Sequence, residues 1–221
     1  MWHSADVATL ASARTLRRDA QRNRERIVAS ARLLFARDGL EASVEDVTRD
    51  AGVGMGTLYR HFATKEELID AVLEESFEEL VEVAEAAVAE DDAWAGFTGF
   101  MEAALQRYAA NRGLKDVLAG SEHGRRRARA MRRRLAPLLQ QMIARAQEQG
   151  SLRADFTPQD MPLLFWTSGS VIDATAGVAP DCWRRQLGLT LDGLRAGAAT
   201  PLPVPALTPA QLERSRTRRG A

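Results

Sequence analysis

The chain has 221 residues, 45% of them hydrophobic, which is enough to bury one or two cores. No apolar run approaches the roughly 20 residues of a membrane span, and residues 1–6 lack the basic start and apolar stretch of a signal peptide. The single cysteine, Cys182, excludes an internal disulfide framework and fits a reducing compartment, so we expect a cytoplasmic protein with no membrane contact.

The formal net charge is +0, but the charges are segregated along the chain. Arginines crowd residues 14–26, residues 66–92 contain many acids and no Lys or Arg, and residues 125–134 are densely basic. Such segregation predicts that overall neutrality hides one basic end that faces DNA.

Residues 1–20 combine small and polar residues with arginines and show no stable helical stripe. We interpret them as a flexible basic arm. Its arginines could reach a minor groove or phosphates, as homeodomain arms do. The alternative is a solvated tail, because termini are poorly ordered unless they are held down.

Residues 21–66 carry the pattern of three helices around one small core. The first is an amphipathic helix over about 23–37, which ends at Asp38-Gly39. Its inward positions are Ile27, Ala31, Leu34 and Phe35.

The second helix begins after Ser43, a good N-cap, and Asp46 three residues later suggests a capping box. Gly52 lies where this helix must stop, because glycine adopts the left-handed C′ conformation at no steric cost. A third helix begins around residues 54–56 and carries Leu58 and Phe62 inward. A helix, a glycine turn and a polar-faced helix form the helix-turn-helix arrangement, in which the last helix enters the major groove.

This stretch, about residues 22–73, resembles the DNA-binding domain of the TetR family of transcriptional regulators. The matching segments are RIVASARLLF at 26–35, GLEASVEDV at 39–47, AGVGMGTLYRHF at 51–62 and KEEL at 65–68. The resemblance implies an all-α chain of about nine helices. An N-terminal helix-turn-helix domain (21–66) would be followed by a C-terminal helical domain (67–199) for ligand binding and dimerisation.

The resemblance also implies a set of DNA-binding residues. In the family, Thr57 and Tyr59 would contact the backbone or bases, His61 and Lys65 would hold phosphates, and Ser43 would cap the second helix against the backbone. The positions pointing into the major groove would be Met55, Gly56 and Arg60. Gly56 can read no base and Met55 offers only apolar contacts, so Arg60 is the first choice for base readout.

The second domain begins with a helix over about 65–90, which Thr64 and Glu67 are expected to cap. Because this helix joins the DNA-reading end to the rest of the chain, tilting it would move that end. A helix over about 93–110 follows and is the most aromatic segment. Its apolar residues are either core or the lining of a ligand cavity. The candidate pocket residues are Phe97, Phe100, Met101, Leu105, Tyr108, Leu138, Met142 and Trp166.

A short helix is expected at 113–119 and a longer one at 121–149, which Pro137 should kink or divide. The arginines of 125–134 go all round this helix, so most must be solvated, with one or two paired to the preceding acidic helix. The functional alternative is an anionic ligand or an extra contact with the DNA backbone.

Thr157-Pro158 starts the next helix, and the last one runs over about 182–199. In the TetR family the last two long helices form the dimer interface, and these two are similar in placement. The candidate interface residues are Phe165, Ser168, Gly169, Ile172, Ala176, Trp183, Leu187, Leu191 and Leu194. The proline-rich residues 200–221 are expected to be a disordered tail.

The sequence offers no catalytic or metal-ligand pattern: the three histidines are scattered, and neither a P-loop nor a paired cysteine motif occurs. We therefore expect no enzyme activity, no cofactor and no bound metal. The expected function is that of a homodimeric repressor, released from a palindromic operator in double-stranded DNA by a small-molecule effector of unknown identity. Two alternatives stay open: an effector-independent DNA-binding regulator, and a helix-turn-helix module that binds a protein partner.

Overall fold

The computed structural model describes residues 4–110 and 122–219, together with the side chains at 18–39, 41–110, 126–197 and 199–218. This part of the chain is all-α, as predicted. Its helices are α1 (Ser4–Asp38), α2 (Val44–Ala51), α3 (Met55–His61), α4 (Lys65–Ala89), α5 (Ala93–Ala110), α6 (Glu122–Glu148), α7 (Asp160–Thr175), α8 (Cys182–Leu194) and α9 (Pro209–Arg219). The short helix expected at 113–119 lies outside the described residues.

The chain divides into two compact units within α4, after Ser76, whereas the expected boundary was residue 66. Burial along α4 explains the later division. Leu68 and Val72 belong to the core of the first unit, and Val81 and Ala84 belong to the core of the second. No helix in the described ranges is both long enough and apolar enough to cross a membrane.

The first helix differs from the sequence-based expectation, because α1 already begins at Ser4 instead of following a flexible arm over 1–20. From Ser4 to Arg37 the chain contains neither Gly nor Pro, and it is rich in Ala, Arg and Leu, which are strong helix formers. The helix stops where Gly39 adopts a φ of 68°, a conformation that side chains with a Cβ rarely take.

The C-terminal segment also differs from the prediction of a disordered tail. Residues 209–219 form α9, and Leu212 within it is buried. The four prolines at 201–209 made the whole segment resemble a disordered tail, but the last of them, Pro209, is the first residue of the helix.

Pro137 lies inside α6 and does not divide this helix, which runs unbroken through it. α8 ends at Leu194, earlier than expected, because the chain leaves the helix to pair with the segment after α6. Leu152 and Arg195 form an isolated antiparallel bridge. The bonds beside it join the Arg153 N–H to the Leu194 carbonyl at 3.0 Å and the Ala196 N–H to the Ser151 carbonyl at 3.1 Å.

Arg153 reinforces this bridge from a nearly buried position. Its guanidinium donates to both carboxylate oxygens of Asp155, at 2.6 and 3.0 Å, and to the Thr200 carbonyl at 2.6 Å. A charged side chain with this many acceptors replaces the water that it loses on burial. The base of the α7–α8 pair is therefore closed by backbone and side chain together.

Candidate nucleic-acid interface

The N-terminus of α2 is capped by Ser43, whose hydroxyl oxygen accepts a hydrogen bond from the Asp46 N–H at 3.1 Å. The same hydroxyl donates to the Asp46 carboxylate at 2.7 Å. The predicted cap is confirmed, although the Asp46 carboxylate is bonded here to the serine hydroxyl and not to its backbone N–H, as in a capping box.

The charge on Asp46 is also stabilised locally. The Ser43 hydroxyl, followed by the Arg49 guanidinium at 2.5 Å, lowers the pKa of Asp46 below its ordinary value of 3.8. The negative carboxylate lies in the first turn of α2, where the helix dipole favours an anion.

The turn between α2 and α3 depends on Gly52, which has φ 61° and ψ 41°. Its N–H bonds to the Arg49 carbonyl, and the Val53 N–H bonds back to the Thr48 carbonyl at 3.0 Å. A Cβ on Gly52 would lie 2.7 Å from Nη2 of Arg26, the far end of a flexible side chain that can move aside. The left-handed backbone conformation is therefore what favours glycine at the predicted position.

The helix α3 separates a core face from an exposed face. Leu58 and Phe62 are buried, as predicted, and are 1% and 3% exposed. Tyr59, by contrast, is 49% exposed, and Arg60 beside it is exposed as well. Within the described ranges, Arg60 forms no hydrogen bond or ion pair. Two side chains that can donate hydrogen bonds are therefore presented outward from a helix anchored by Leu58.

The orientation of Met55 differs in part from the expectation that its side chain points into the major groove. Its side chain is partly buried, and its sulfur lies 3.5 Å from the Thr48 hydroxyl. The same hydroxyl donates to the Glu45 carbonyl at 2.9 Å. The Met55 sulfur thus lies against α2, and less of this side chain is available to contact a base than the sequence suggested.

Gly56 and Thr57 occupy the first turns of α3 between Met55 and the exposed pair. Gly56 is exposed, and a Cβ built on it would have no neighbour within 4 Å. Thr57 is partly exposed. No described residue requires glycine at position 56, so the absence of a side chain there leaves room for another molecule to approach closely.

His61 and Lys65, the two expected phosphate ligands, lie on either side of the turn that follows α3. Nε2 of His61 is buried and has no hydrogen-bond partner in the described part of the chain. A phosphate contact through this atom requires the ring to turn. Lys65 opens α4, is partly buried, and already interacts with another group.

The start of α4 is held by the predicted cap. The Glu67 N–H donates to the Thr64 hydroxyl oxygen at 3.2 Å, and the Ala63 N–H donates to the Glu67 carboxylate at 2.8 Å. This cap fixes the turn between α3 and α4. Tyr59 and Arg60 therefore lie on a short helix, and Lys65 lies at the capped start of a long one.

Seven of the eight predicted pocket residues lie in or against the core of the second unit. Five are buried, namely Phe97, Phe100, Met101, Leu105 and Met142. Tyr108 and Leu138 are partly buried against the same cluster, and Trp166 is partly buried. Several aromatic rings pack edge to face: Phe97 on Phe156 at 5.9 Å and Phe100 on Phe165 at 6.4 Å between centroids.

Most of the predicted dimer-interface residues are buried within their own chain, and their contact with a second copy stays a prediction. The buried ones are Ser168, Gly169, Ile172, Trp183, Leu187 and Leu194. The remaining three, Phe165, Ala176 and Leu191, are partly buried. The helical stripe of apolar residues marks the inner faces of α7 and α8, where the chain packs on itself.

Close contacts within the second unit explain why Ser168 and Gly169 are buried. Ser168 donates to the Gln186 side-chain oxygen at 2.9 Å, which joins α7 to α8. A Cβ on Gly169 would lie 2.9 Å from the hydroxyl oxygen of Tyr108 on α5. The small residues of α7 thus do allow a close approach, as predicted, but by elements of the same chain.

Comparison with known proteins assigns both units. A family model described as bacterial regulatory proteins of the tetR family matches residues 27–72. A second, described as the C-terminal domain of SbtR-like transcriptional regulators, matches residues 91–196. A helix-turn-helix-type transcriptional regulator of Staphylococcus aureus (strain USA300) is 43% identical over 60 residues, which are 27% of this chain and only 32% of that protein.

Solved structures extend the similarity to most of the chain. A regulator from Streptomyces coelicolor is 28% identical, with a TM-score of 0.61 over 78% of this chain and 98% of its own. The crystal structure of a TetR transcription regulatory protein from Mycobacterium vanbaalenii is 32% identical, with a TM-score of 0.63 over 81% of this chain and 99% of that one. With both family models and this match over nearly a whole relative, the chain belongs to the TetR family of transcriptional regulators.

Proposed function

We propose that this regulator is a homodimeric repressor that binds a palindromic operator and leaves it when a small molecule binds the second unit. The observation that carries the proposal is the two-sided α3, with Leu58 1% exposed and Tyr59 49% exposed. A helix so anchored can enter a major groove without giving up its core contacts.

On the DNA face, the proposal gives Arg60 the main role in base readout. A guanidinium can donate two parallel hydrogen bonds to a guanine edge, and Arg60 has no competing acceptor among the described residues. Tyr59 and Thr57 would bind the backbone or bases, and Lys65 a phosphate. His61 would bind a phosphate through Nε2 only after its ring has turned, because that atom is buried.

For dimerisation, the proposal uses the outer faces of α7 and α8 in place of the buried stripe. Small or short side chains are exposed there at Thr167, Ser170, Ala174, Gly188 and Gly193. Leu189 on the same side of α8 is 65% exposed. Two such helix pairs would form a four-helix bundle across a two-fold axis.

A charge on this face tests the proposed dimer. We expect Leu189→Arg to convert the dimer to a monomer in light scattering, because an arginine would be buried at the bundle without a partner. Val178→Arg is the matched control, since Val178 is 85% exposed in the turn between the two helices. A Leu189→Arg protein that stayed as dimeric as the control would contradict this interface.

The effector would bind in the aromatic cluster of the second unit. Its chemistry would be largely apolar, because Phe97, Phe100 and Met101 dominate the cluster. A ligand that binds better to a state unsuited to DNA lowers the DNA affinity by at most its differential affinity for the two states.

A second candidate function is that of an effector-independent regulator, which one observation favours. Phe97, Met101 and Leu105 are each 0% exposed, as in a core that has already collapsed. In that case DNA affinity would not change with any metabolite. A screen of small molecules against the DNA complex separates the two candidates.

The test of the proposed function is a selection from random duplex DNA, followed by titration of single variants. We expect one palindrome to be enriched. Arg60→Ala should lose about 1–3 kcal/mol of binding free energy and relax specificity at one base pair, while Lys65→Ala should weaken all sequences alike and reduce the salt slope by about 1. Arg37→Ala is the control, because Arg37 pairs with Asp38 on α1. No enriched sequence, or equal effects in all three variants, would contradict the proposal.

A further inference from the structure

Two consecutive glutamates of α4 meet arginines of the second unit in different ways. The carboxylate of Glu78 accepts two hydrogen bonds from Arg134 on α6, at 2.6 and 2.7 Å. The carboxylate of Glu79 lies 3.9 Å from Nε of Arg107 on α5, which is too long for a hydrogen bond. The first pair is therefore fully bonded, whereas the second is held only by the attraction of its charges.

The Nε of Arg107 is the unusual atom in the second pair. It is buried, yet it has no hydrogen-bond partner within the described ranges. On the same guanidinium, Nη1 donates to the Ala103 carbonyl at 3.3 Å, and the side chain as a whole is 39% exposed. A buried donor on a charged group costs free energy when no acceptor reaches it. Because part of this side chain is open to solvent, an acceptor can also come from outside the chain.

Apolar residues adjoin both members of this pair. Arg107 lies two helical turns after Phe100 on the same face of α5, and Tyr108 beside it is partly buried against the core of the second unit. Val83, one turn after Glu79 on α4, packs against the same core. A ligand with its charged end at Arg107 would thus place an apolar body against the aromatic cluster.

We propose that Arg107 binds the carboxylate of an aromatic acid, which takes the place of Glu79 beside Nε. This inference rests on the effector response proposed above and names the chemical class of the effector. Arginine binds a carboxylate through paired, charge-assisted hydrogen bonds, so the ligand supplies the acceptor that Nε lacks. Its negative charge would also repel Glu79 and weaken the contact between α5 and α4, the helix that continues into the first unit.

The test compares aryl acids with their neutral amides on the full-length protein. The probes are benzoate with benzamide and 2-naphthoate with 2-naphthamide, because the members of each pair differ in charge and hardly in shape. Calorimetry at constant ionic strength measures binding. We expect at least one acid to bind about tenfold or more tightly than its amide, since hydrogen bonds between two charged groups are the stronger ones. No binding of either acid, or equal affinity of acid and amide, would overturn the proposal.

The variant Arg107→Met should abolish this preference for the acid. The midpoint of thermal unfolding should stay unchanged or rise, because an apolar chain replaces a buried donor that has no partner. The matched control is Arg134→Met, which removes an arginine that is bonded to Glu78. It should keep the preference for the acid and lower the midpoint. An Arg107→Met protein that still preferred the acid would show that the carboxylate binds elsewhere.

The variant Glu79→Gln should change the affinity in the opposite direction. It should tighten binding of the acid about threefold or more, because a like charge beside the site is removed. Glu78→Gln is the control and should leave the affinity nearly unchanged, since Glu78 is paired with Arg134. Equal affinities in these two variants would contradict the competition with Glu79. Should Arg107→Met fail to fold, this comparison decides.

Release of the selected operator, followed by fluorescence anisotropy, separates this inference from the proposed function. An acid that binds more tightly than its amide without releasing DNA supports the site at Arg107 and contradicts the effector response. An acid and an amide that release DNA equally support the effector response and overturn the site.

Discussion

The guanidinium carbon of Arg24 on α1 lies 5.3 Å from the centroid of the Phe62 ring, at the residue that ends α3. This contact joins the first helix to the end of the helix that we propose reads DNA. Phe62 itself is 3% exposed, so the arginine lies over the ring of a core residue. A cation above an aromatic ring contributes about 0.5–1 kcal/mol at such exposed sites.

We therefore expect Arg24→Ala to lower the free energy of unfolding by about 0.5–1 kcal/mol. Urea denaturation followed by circular dichroism measures it. Arg18→Ala is the control, because Arg18 is an exposed arginine two helical turns earlier in α1. Equal destabilisation by both changes would mean that the loss reflects helix charge and not the ring contact.

The Ser43 cap predicts both a loss of stability and a change in titration. Ser43→Ala should cost about 1 kcal/mol, since it removes the acceptor for the Asp46 N–H. It should also raise the pKa of Asp46, because the serine hydroxyl is the main cause of its depression. Carboxyl chemical shifts in NMR report this pKa directly, and an unchanged value in the variant would contradict the assigned cause.

The lowered pKa of Asp46 determines the direction in which the free energy of unfolding changes with pH. Because Asp46 has a lower pKa folded than unfolded, its charge stabilises the fold above the unfolded pKa, and this contribution is lost as pH falls through the folded pKa. The stability difference between the native protein and Asp46→Asn should thus shrink as pH drops below 3.8. A difference that stays constant down to acid pH would show that the carboxylate charge is not involved.

The variant Gly56→Ala distinguishes the effect of position 56 on DNA affinity from its effect on the stability of the free protein. A Cβ at position 56 meets no atom of the chain within 4 Å, and alanine favours a helix over glycine by up to about 1 kcal/mol, so the free protein should be unchanged or slightly more stable. Affinity for the selected operator should nevertheless fall, because the added methyl group prevents close approach. Thermal unfolding and a binding titration together provide the test. Unchanged affinity would show that this turn of α3 does not meet DNA.

Gly96 and Gly99, three residues apart on α5, should respond oppositely to alanine. A Cβ on Gly96 would lie 2.2 Å from the Ala87 carbonyl oxygen on α4, so the two backbones must separate, at a cost of about 1–3 kcal/mol or more. At Gly99 the space is open, and alanine should stabilise the helix by about 0.5–1 kcal/mol. Denaturant midpoints of the two single variants suffice. Similar midpoints would contradict the close contact.

The sequence predicted the first unit well because its signals are local. Ser43 and Gly52 specify the ends of α2 through hydrogen bonds and backbone conformation that lie within a few residues. The spacing of Leu58 and Phe62 identifies the buried side of α3 in the same way. The position of Met55 could not be predicted, since it depends on a contact with Thr48 across the turn.

The second unit was predicted less well for two different reasons. Apolar periodicity identifies the buried face of a helix such as α8 but not what buries it, so Trp183 and Leu187 could be assigned to a partner when they belong to the chain's own core. The missed α9, in contrast, did carry a local signal. Thr208, Pro209 and Gln211 form the start of a helix, and the neighbouring prolines obscured it.

The antiparallel bridge between Leu152 and Arg195 makes a closed loop of everything between those residues, including α7 and α8. A loop whose base is tied by backbone bonds tends to open as one cooperative element. The amide hydrogens of Arg153 and Ala196 form the two backbone hydrogen bonds beside the bridge. Their exchange with solvent deuterium should therefore follow the opening of the whole helix pair and not local fraying. Because of this bridge, α7 and α8, the two helices proposed to dimerise, should unfold together.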